Sequence, residues 1–340
     1  MIETVRYLLG LSGSSGFGSK STADQVTQSS PDLRSLTVIV TGATSGIGAE
    51  TARVLAKRGA RVVIPARSIK SAEDARARIT AEFPGSEIVP MILDLSSLRS
   101  VRMFVSEFEK LGLPLNLLIN NAGRFSYEHG VSEDGIEMTF ATNYLGHFLL
   151  TKMLMNKMIE TARTSGVQGR IVNVSSGIHG WFSDDPIRYL ARITSNKSEY
   201  DPARAYALSK LANVLHTREL SVRLKKVGAN VTVNCVNPGI VRTRILRDRE
   251  GFVTDMVYTL TSKLLKTIPQ AAATTCYVAT HPRLENISGK YFSDCNEASP
   301  SGIACDSAEA SRLWSASEIM VSDGSGTHVE NHLNPTPTSP

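Results

Sequence analysis

Cysteine is scarce and unpatterned in this chain: Cys235, Cys276, Cys295 and Cys305 are the four among 340 residues, with no CxxC pair and no zinc-ligand spacing. A disulfide framework is excluded, no metal is expected, and a reducing compartment is the simpler setting. The seven histidines are scattered in the same way, and His147 and His216 read as helix residues. Long hydrophobic runs are missing too. The longest apolar stretch, Tyr144 to Ile159, is broken by Lys152 and Lys157 and falls short of the roughly 18 to 20 uncharged residues of a membrane span. A soluble or membrane-peripheral, intracellular chain is therefore expected. No basic tract exists either: the net charge is +5 with its lysines and arginines dispersed, so no nucleic acid partner is expected. No internal repeat of fixed period appears, which excludes a solenoid.

What is present is ample apolar material, 41% of residues, enough for one substantial core. Short runs rich in Val and Ile at Thr37–Val40, Arg61–Pro65, Ile88–Leu93, Leu115–Ile119, Arg170–Val174, Asn230–Val236 and Lys290–Phe292 predict strands. They alternate with amphipathic helical segments and are apolar on both faces. That pattern predicts an α/β chain with a parallel sheet and helices on both faces, a single doubly wound Rossmann fold over residues 36–315. Residues 1–35, rich in Gly and Ser, read as an N-terminal arm. Residues 316–340, dense in Ser, Gly, Asn, Thr and Pro, read as a disordered tail.

The first strand runs into Thr41-Gly42-Ala43-Thr44-Ser45-Gly46-Ile47-Gly48, followed by a helix. Glycines here permit a tight reversal, close backbone approach to a pyrophosphate, and helix N–H groups aimed at the anion. Gly42, Thr44, Ser45, Gly46, Ile47 and Gly48 are thus candidate dinucleotide contacts. After the second strand stands Ala66-Arg67-Ser68. A carboxylate there would repel a 2′-phosphate, whereas the Arg67 guanidinium suits one, which favours NADP(H) as cofactor. Further on, Tyr206-Ala207-Leu208-Ser209-Lys210 places a phenol and an amine four residues apart on one helix face, where the ammonium would favour the phenolate of a general acid/base.

The GxxxGxG spacing and these companions resemble the short-chain dehydrogenase/reductase family. By that resemblance Asp94 in Leu93-Asp94-Leu95 hydrogen-bonds the adenine, and Asn121, Ala122 and Gly123 of Asn120-Asn121-Ala122-Gly123 lie beside the adenine ring and the central sheet. The resemblance also makes Ser176, the later of two serines ending the fifth strand, the hydroxyl that polarises a substrate carbonyl. Tyr206 and Lys210 become catalytic and also contact the cofactor, Lys210 through the nicotinamide ribose. Asn143 is the fourth catalytic residue, its backbone carbonyl holding a water linked to the lysine. Pro238, Gly239 and Thr243 match the motif on the carboxamide side of the cofactor.

The long gap between Ser176 and Tyr206, Asn143 to Leu150, and Pro269 to Thr275 narrow the likeness to the retinol-dehydrogenase-like branch. Within it, the chain is most similar to plant members of the chloroplast inner-envelope translocon 32-kDa-subunit type. An NADP(H)-dependent enzyme acting on a small, lipophilic carbonyl or alcohol substrate is implied. The alternative is an NADPH-binding redox-sensing subunit or regulator of an import complex at the chloroplast envelope. Chloroplast location rests on resemblance alone, with the cytoplasm as alternative. Arg124 and Phe125, where small or aliphatic residues are usual, and Asn237, where His is common, depart from the branch.

Two segments bear on specificity. Residues 177–205 read as a substrate loop whose Trp181, Phe182, Tyr189 and Tyr200 either line a cleft or merely tie the loop down. Residues 240–268, with Phe252, Met256, Leu260 and Leu264 at helical spacing, read as a lid, or equally as core or homodimer packing.

Overall fold

The computed structural model describes residues 7–241 and 265–322. Its parallel strands are β1 (Thr37–Val40), β2 (Arg61–Ala66), β3 (Ile88–Ile92), β4 (Leu117–Asn120), β5 (Gly169–Val174), β6 (Val231–Asn237) and β7 (Tyr291–Ser293). The predicted strands are all present, shifted only at their ends. An antiparallel strand, β8 (Asn296–Ala298), closes an eight-stranded sheet of order β3-β2-β1-β4-β5-β6-β7-β8. The β7–β8 hairpin went unpredicted because its turn is Asp294-Cys295 instead of a glycine pair. Both residues take positive φ, 52° and 62°, as a tight hairpin turn requires.

Strand order reverses between β1 and β4, and in such sheets the crevice outside the strands' carboxyl ends receives ligands. On one face lie α1 (Ala23–Val26), α2 (Gly46–Lys57), α3 (Ile69–Glu82) and, later in the chain, α8 (Ile268–Thr280). The other face holds α4 (Leu98–Lys110), α5 (Gly146–Ser165), α7 (Pro202–Lys226) and α9 (Ser307–Ser322). Val101, Phe104, Val105 and Phe108 show why α4 docks: their spacing forms one apolar stripe, and all are buried. Among the described residues no helix is long and apolar enough to cross a membrane.

Three segments differ from expectation. The stretch read as an N-terminal arm is part of the packed domain: Ala23, Val26 and Leu33 are buried, and Asp24 pairs with Arg53 at 2.6 Å and Lys57 at 2.7 Å. Only a few apolar residues anchor it, too few for a periodic signal. The stretch expected to be disordered from residue 316 continues α9 through Ser322, with Ser317, Met320 and Val321 buried. Its serine-rich composition hid an apolar stripe. Finally, the 177–205 segment is largely helical, containing α6 (Pro186–Ser195) capped by Asp185. Phe182 and Tyr189 are buried there, so they tie the segment down, while Trp181 is 76% exposed.

The helix α9 fastens α5 and α7 from outside. Trp314 packs on Phe148 and His216, with the Arg223 guanidinium over its ring at 4.4 Å, and Ser317 hydrogen-bonds the Tyr144 hydroxyl at 2.7 Å. Trp314→Ala should cost ~3 kcal/mol in urea unfolding. A loss below about 1 kcal/mol would show that α9 is not structural.

Candidate active site

The glycine-rich turn leaves room for a phosphate. Gly42 has φ +68°, and a methyl there would sit 2.8 Å from the Ala122 Cα; Gly46 has φ +58° with open space where its Cβ would be. A Cβ on Gly48 would collide with the Asn121 amide and the Gly42 carbonyl. Ser45 caps α2 only by position, since its hydroxyl makes no capping hydrogen bond. The first-turn amides of α2 therefore have no side-chain cap, and bare backbone plus a helix dipole suit a pyrophosphate. Thr44 and Ile47 complete the turn half-buried. These residues fit a dinucleotide.

Around the turn, Arg67 is exposed just past β2. Asp94 has one carboxylate oxygen committed to the Ser96 amide at 2.9 Å and hydroxyl at 2.7 Å. The Asn121 side chain donates to the Thr41 carbonyl at 2.9 Å, so it braces the turn. Gly239, at φ +85°, follows Pro238 at the end of β6. Its amide and that of Gly177 both donate to Asn237 Oδ1, at 3.1 and 3.3 Å. The departure Asn237 thus ties the segment after Ser176 to the Pro-Gly motif. Thr243 and the apolar series from Phe252 to Leu264 lie outside the described residues. At the base of that segment Val241 pairs with Lys266, whose buried ammonium meets Asp294 at 2.5 Å.

The four candidate catalytic residues come from three places: the π-helical turn before α5, the end of β5, and α7. Ser175 and Ser176 follow β5 with different fates: Ser175 is buried and donates to the Lys210 carbonyl at 2.7 Å, whereas Ser176 Oγ has only a long contact, 3.4 Å, from the Ile178 amide. Tyr206 and Lys210 lie one turn apart on α7, which starts at the Asp201 cap and Pro202. Lys210 is 3% exposed; its Nζ donates to the Val174 carbonyl at 3.0 Å and lies 5.5 Å from the Tyr206 ring centre. Asn143 is fully buried in a π-helical turn, Ala141–Leu145, that leads into α5. Its amide donates to the Arg124 carbonyl at 2.9 Å and Ser209 Oγ at 3.0 Å and accepts from the Arg124 amide at 2.7 Å. Gly123 is the meeting point: a methyl on it would lie 3.4 Å from Lys210 Nζ and 3.5 Å from Asn143 Oδ1.

His147, read from sequence as a helix residue, has a larger part. Its ring is buried, with Nδ1 3.1 Å from the Asn143 carbonyl and Nε2 2.9 Å from Thr41 Oγ1. A carbonyl only accepts, so Nδ1 carries the proton; burial lowers the imidazole to about 4, so Nε2 is bare and accepts from Thr41. The i to i+4 spacing from Asn143 was the available signal, but the Thr41 partner lies far away in sequence.

Burial sets the electrostatics. Desolvation pushes the half-buried Tyr206 phenol up to about 12 and Lys210 down to about 8. The expected downward pull of Lys210 on the phenol does not govern here, because Nζ is turned to the Val174 carbonyl and burial of the phenol dominates. Beside Tyr206 stands Phe125, edge-on at 5.6 Å, with Tyr127 edge-on to it at 5.0 Å, so the departure Phe125 forms an aromatic wall against the Tyr206 ring.

Comparison with known proteins bears on the family and the fold. A family model described as short chain dehydrogenase matches residues 36–182. The chain is 47% identical, over 94% of its length and 99% of the relative's, to "Short-chain dehydrogenase TIC 32 B, chloroplastic" of Brassica napus. It is 41% identical to "Retinol dehydrogenase 12" of Bos taurus, over 82% of this chain and 84% of that one. Among solved structures, L-sorbose reductase of Gluconobacter frateurii, complexed with NADPH and L-sorbose, superposes with a TM-score of 0.61 at 19% identity, covering 77% of this chain and 97% of its own, a likeness of fold.

The buried lysine costs stability. Its folded value, about 8, lies below the unfolded value of 10.5, so the penalty is full below pH 8 and vanishes as pH rises through 10.5. Lys210→Met should therefore stabilise the fold by ~1 to 3 kcal/mol at pH 7, with the gain shrinking toward pH 10.5 in denaturant titrations. A destabilised variant at pH 7 would contradict the assignment of Lys210 as a desolvated cation.

Proposed function

The chain belongs to the short-chain dehydrogenase family, and within it we propose an NADP(H)-dependent oxidoreductase that interconverts a carbonyl and an alcohol on a small, lipophilic substrate. The observation that carries this reading is that Lys210 Nζ and Asn143 Oδ1 both face Gly123, with the Tyr206 ring centre 5.5 Å from the same Nζ, while Ser176 Oγ makes no more than a long contact with the Ile178 amide. Bound nicotinamide supplies the hydride. The chain supplies the proton and the charge control. Tyr206, held neutral by burial, is the proton donor to the carbonyl oxygen, and Ser176 Oγ donates a hydrogen bond to the same oxygen. Lys210 places an ammonium near the ring as the phenolate develops and would hold the nicotinamide ribose hydroxyls. Asn143 keeps the Arg124 backbone, and with it the Phe125 wall, in register with the reacting ring.

NADP(H) is preferred over NAD(H) because Arg67 stands where a carboxylate would repel a 2′-phosphate. Phe125 and Tyr127 suit an apolar substrate. A chloroplast location, peripheral to a membrane or soluble, fits the likeness to the chloroplastic relatives. A second reading, a redox-sensing NADPH-binding subunit of a chloroplast envelope assembly, draws on the same likeness. It has no use for a desolvated Lys210 under a neutral phenol, and the enzyme reading therefore stands first.

With a panel of apolar aldehydes and ketones, Tyr206→Phe should lower NADPH-dependent turnover by roughly 10²- to 10⁴-fold while NADPH affinity stays within about twofold. Turnover that survives the substitution overturns the mechanism, and NADPH binding without turnover on any substrate favours the sensor. Arg67→Ala should weaken NADPH binding about tenfold or more and leave NADH nearly unchanged; equal losses would contradict the cofactor preference.

A further inference from the structure

Three of the six charged side chains on α3 are paired. Glu73 meets Arg76 at 2.8 Å, and Glu82 meets Arg53 on α2 at 2.9 Å. Arg78 behaves differently. Among the described residues it joins no carboxylate; its guanidinium crosses to the phosphate turn, where Nη2 donates to the Thr44 carbonyl at 2.8 Å. Thr44 lies between Gly42 and Gly46 and is followed by Ser45, whose hydroxyl is exposed and makes no capping bond. Arg67 and Lys70, at the junction of β2 and α3, are likewise exposed and in no ion pair among the described residues. Thus the stretch from the end of β2 through α3 carries three cations, Arg67, Lys70 and Arg78, in no ion pair among the described residues, and Arg78 is already bonded to the turn.

A phosphate monoester on a ribose carries close to two negative charges near neutrality and offers three strong acceptor oxygens. Arg67 alone balances half of that charge, and Ser45 adds only a neutral donor. A guanidinium has five N–H donors, so the bond to Thr44 leaves Arg78 most of its capacity for an anion. That same bond restrains a side chain that would otherwise lose rotamer freedom on binding. Resting on the NADP(H) reading, we propose that Arg78 is a cofactor-specificity residue: with Arg67 it forms a two-arginine clamp, reaching from α3 across the glycine-rich turn, for the adenosine 2′-phosphate.

The test is calorimetric titration of the full chain with 2′,5′-ADP and with 5′-ADP, which differ by the 2′-phosphate and need no turnover, in wild type, Arg67→Ala, Arg78→Met and Arg78→Lys. Wild type should prefer 2′,5′-ADP. Arg78→Met should raise the Kd for 2′,5′-ADP by about tenfold or more and that for 5′-ADP by less than about twofold, with Arg78→Lys in between. The unchanged 5′-ADP affinity also reports an intact turn. Equal losses on both ligands would make Arg78 a brace of the turn and overturn the proposal, as would no loss on either. A selective loss in Arg67→Ala with none in Arg78→Met rejects the clamp and leaves the NADP(H) reading intact. Wild type without preference for 2′,5′-ADP overturns both.

Discussion

The Thr41 hydroxyl, buried at the end of the central strand, is the point on which the two halves of the site depend. It accepts from the Asn121 and Ala122 amides at 2.9 and 3.0 Å and donates to His147 Nε2 at 2.9 Å. His147 in turn donates to the Asn143 carbonyl. One short chain of hydrogen bonds therefore runs from the cofactor turn, through the loop after β4, to the π-helical turn that carries a catalytic candidate. In a dry interior each bond is costly to leave unmade, so the geometry of the two halves is set jointly. The π turn matters here: an inserted residue in a helix re-aims side chains that a regular helix would bury against the sheet.

Burial gives this scaffold its chemistry. Lys210 and Tyr206 are both destabilised as ions by their surroundings, one pushed toward the amine and the other toward the phenol. A neutral phenol with a reluctant cation nearby is a proton donor that waits for developing negative charge. Phe125 stands edge-on to the Tyr206 ring, and further along α7 the Trp314 ring of α9 packs on Phe148 and His216.

Much of this was legible in the sequence because it is written locally. Val- and Ile-rich runs announced the strands, the glycine spacing announced the turn, and the four-residue interval from Tyr206 to Lys210 announced a shared helix face. What could not be read depends on partners distant in sequence. His147 looks like any helix histidine until Thr41 is beside it, and Asn237 looks like a substitution until Gly177 and Gly239 both donate to it. Arg78 reads as one more surface arginine among the charges of α3 until the turn comes within its reach. Composition is a poor guide at both ends: a Gly- and Ser-rich stretch that reads as an arm and a Ser-rich one that reads as disordered are docked by a few apolar residues, Val26 and Leu33 in one and Met320 and Val321 in the other.

In the proposed mechanism Tyr206 delivers a proton to a carbonyl oxygen while its carbon receives a hydride directly from the cofactor. Mass spectrometry of the alcohol formed from an apolar aldehyde and NADPH deuterated at C4 tests it in one step. One deuterium is expected on the carbinol carbon, from one face of the nicotinamide only, and none in product from Tyr206→Phe over the same interval. Alcohol formed without the label, or labelled equally by the Phe variant, would contradict it.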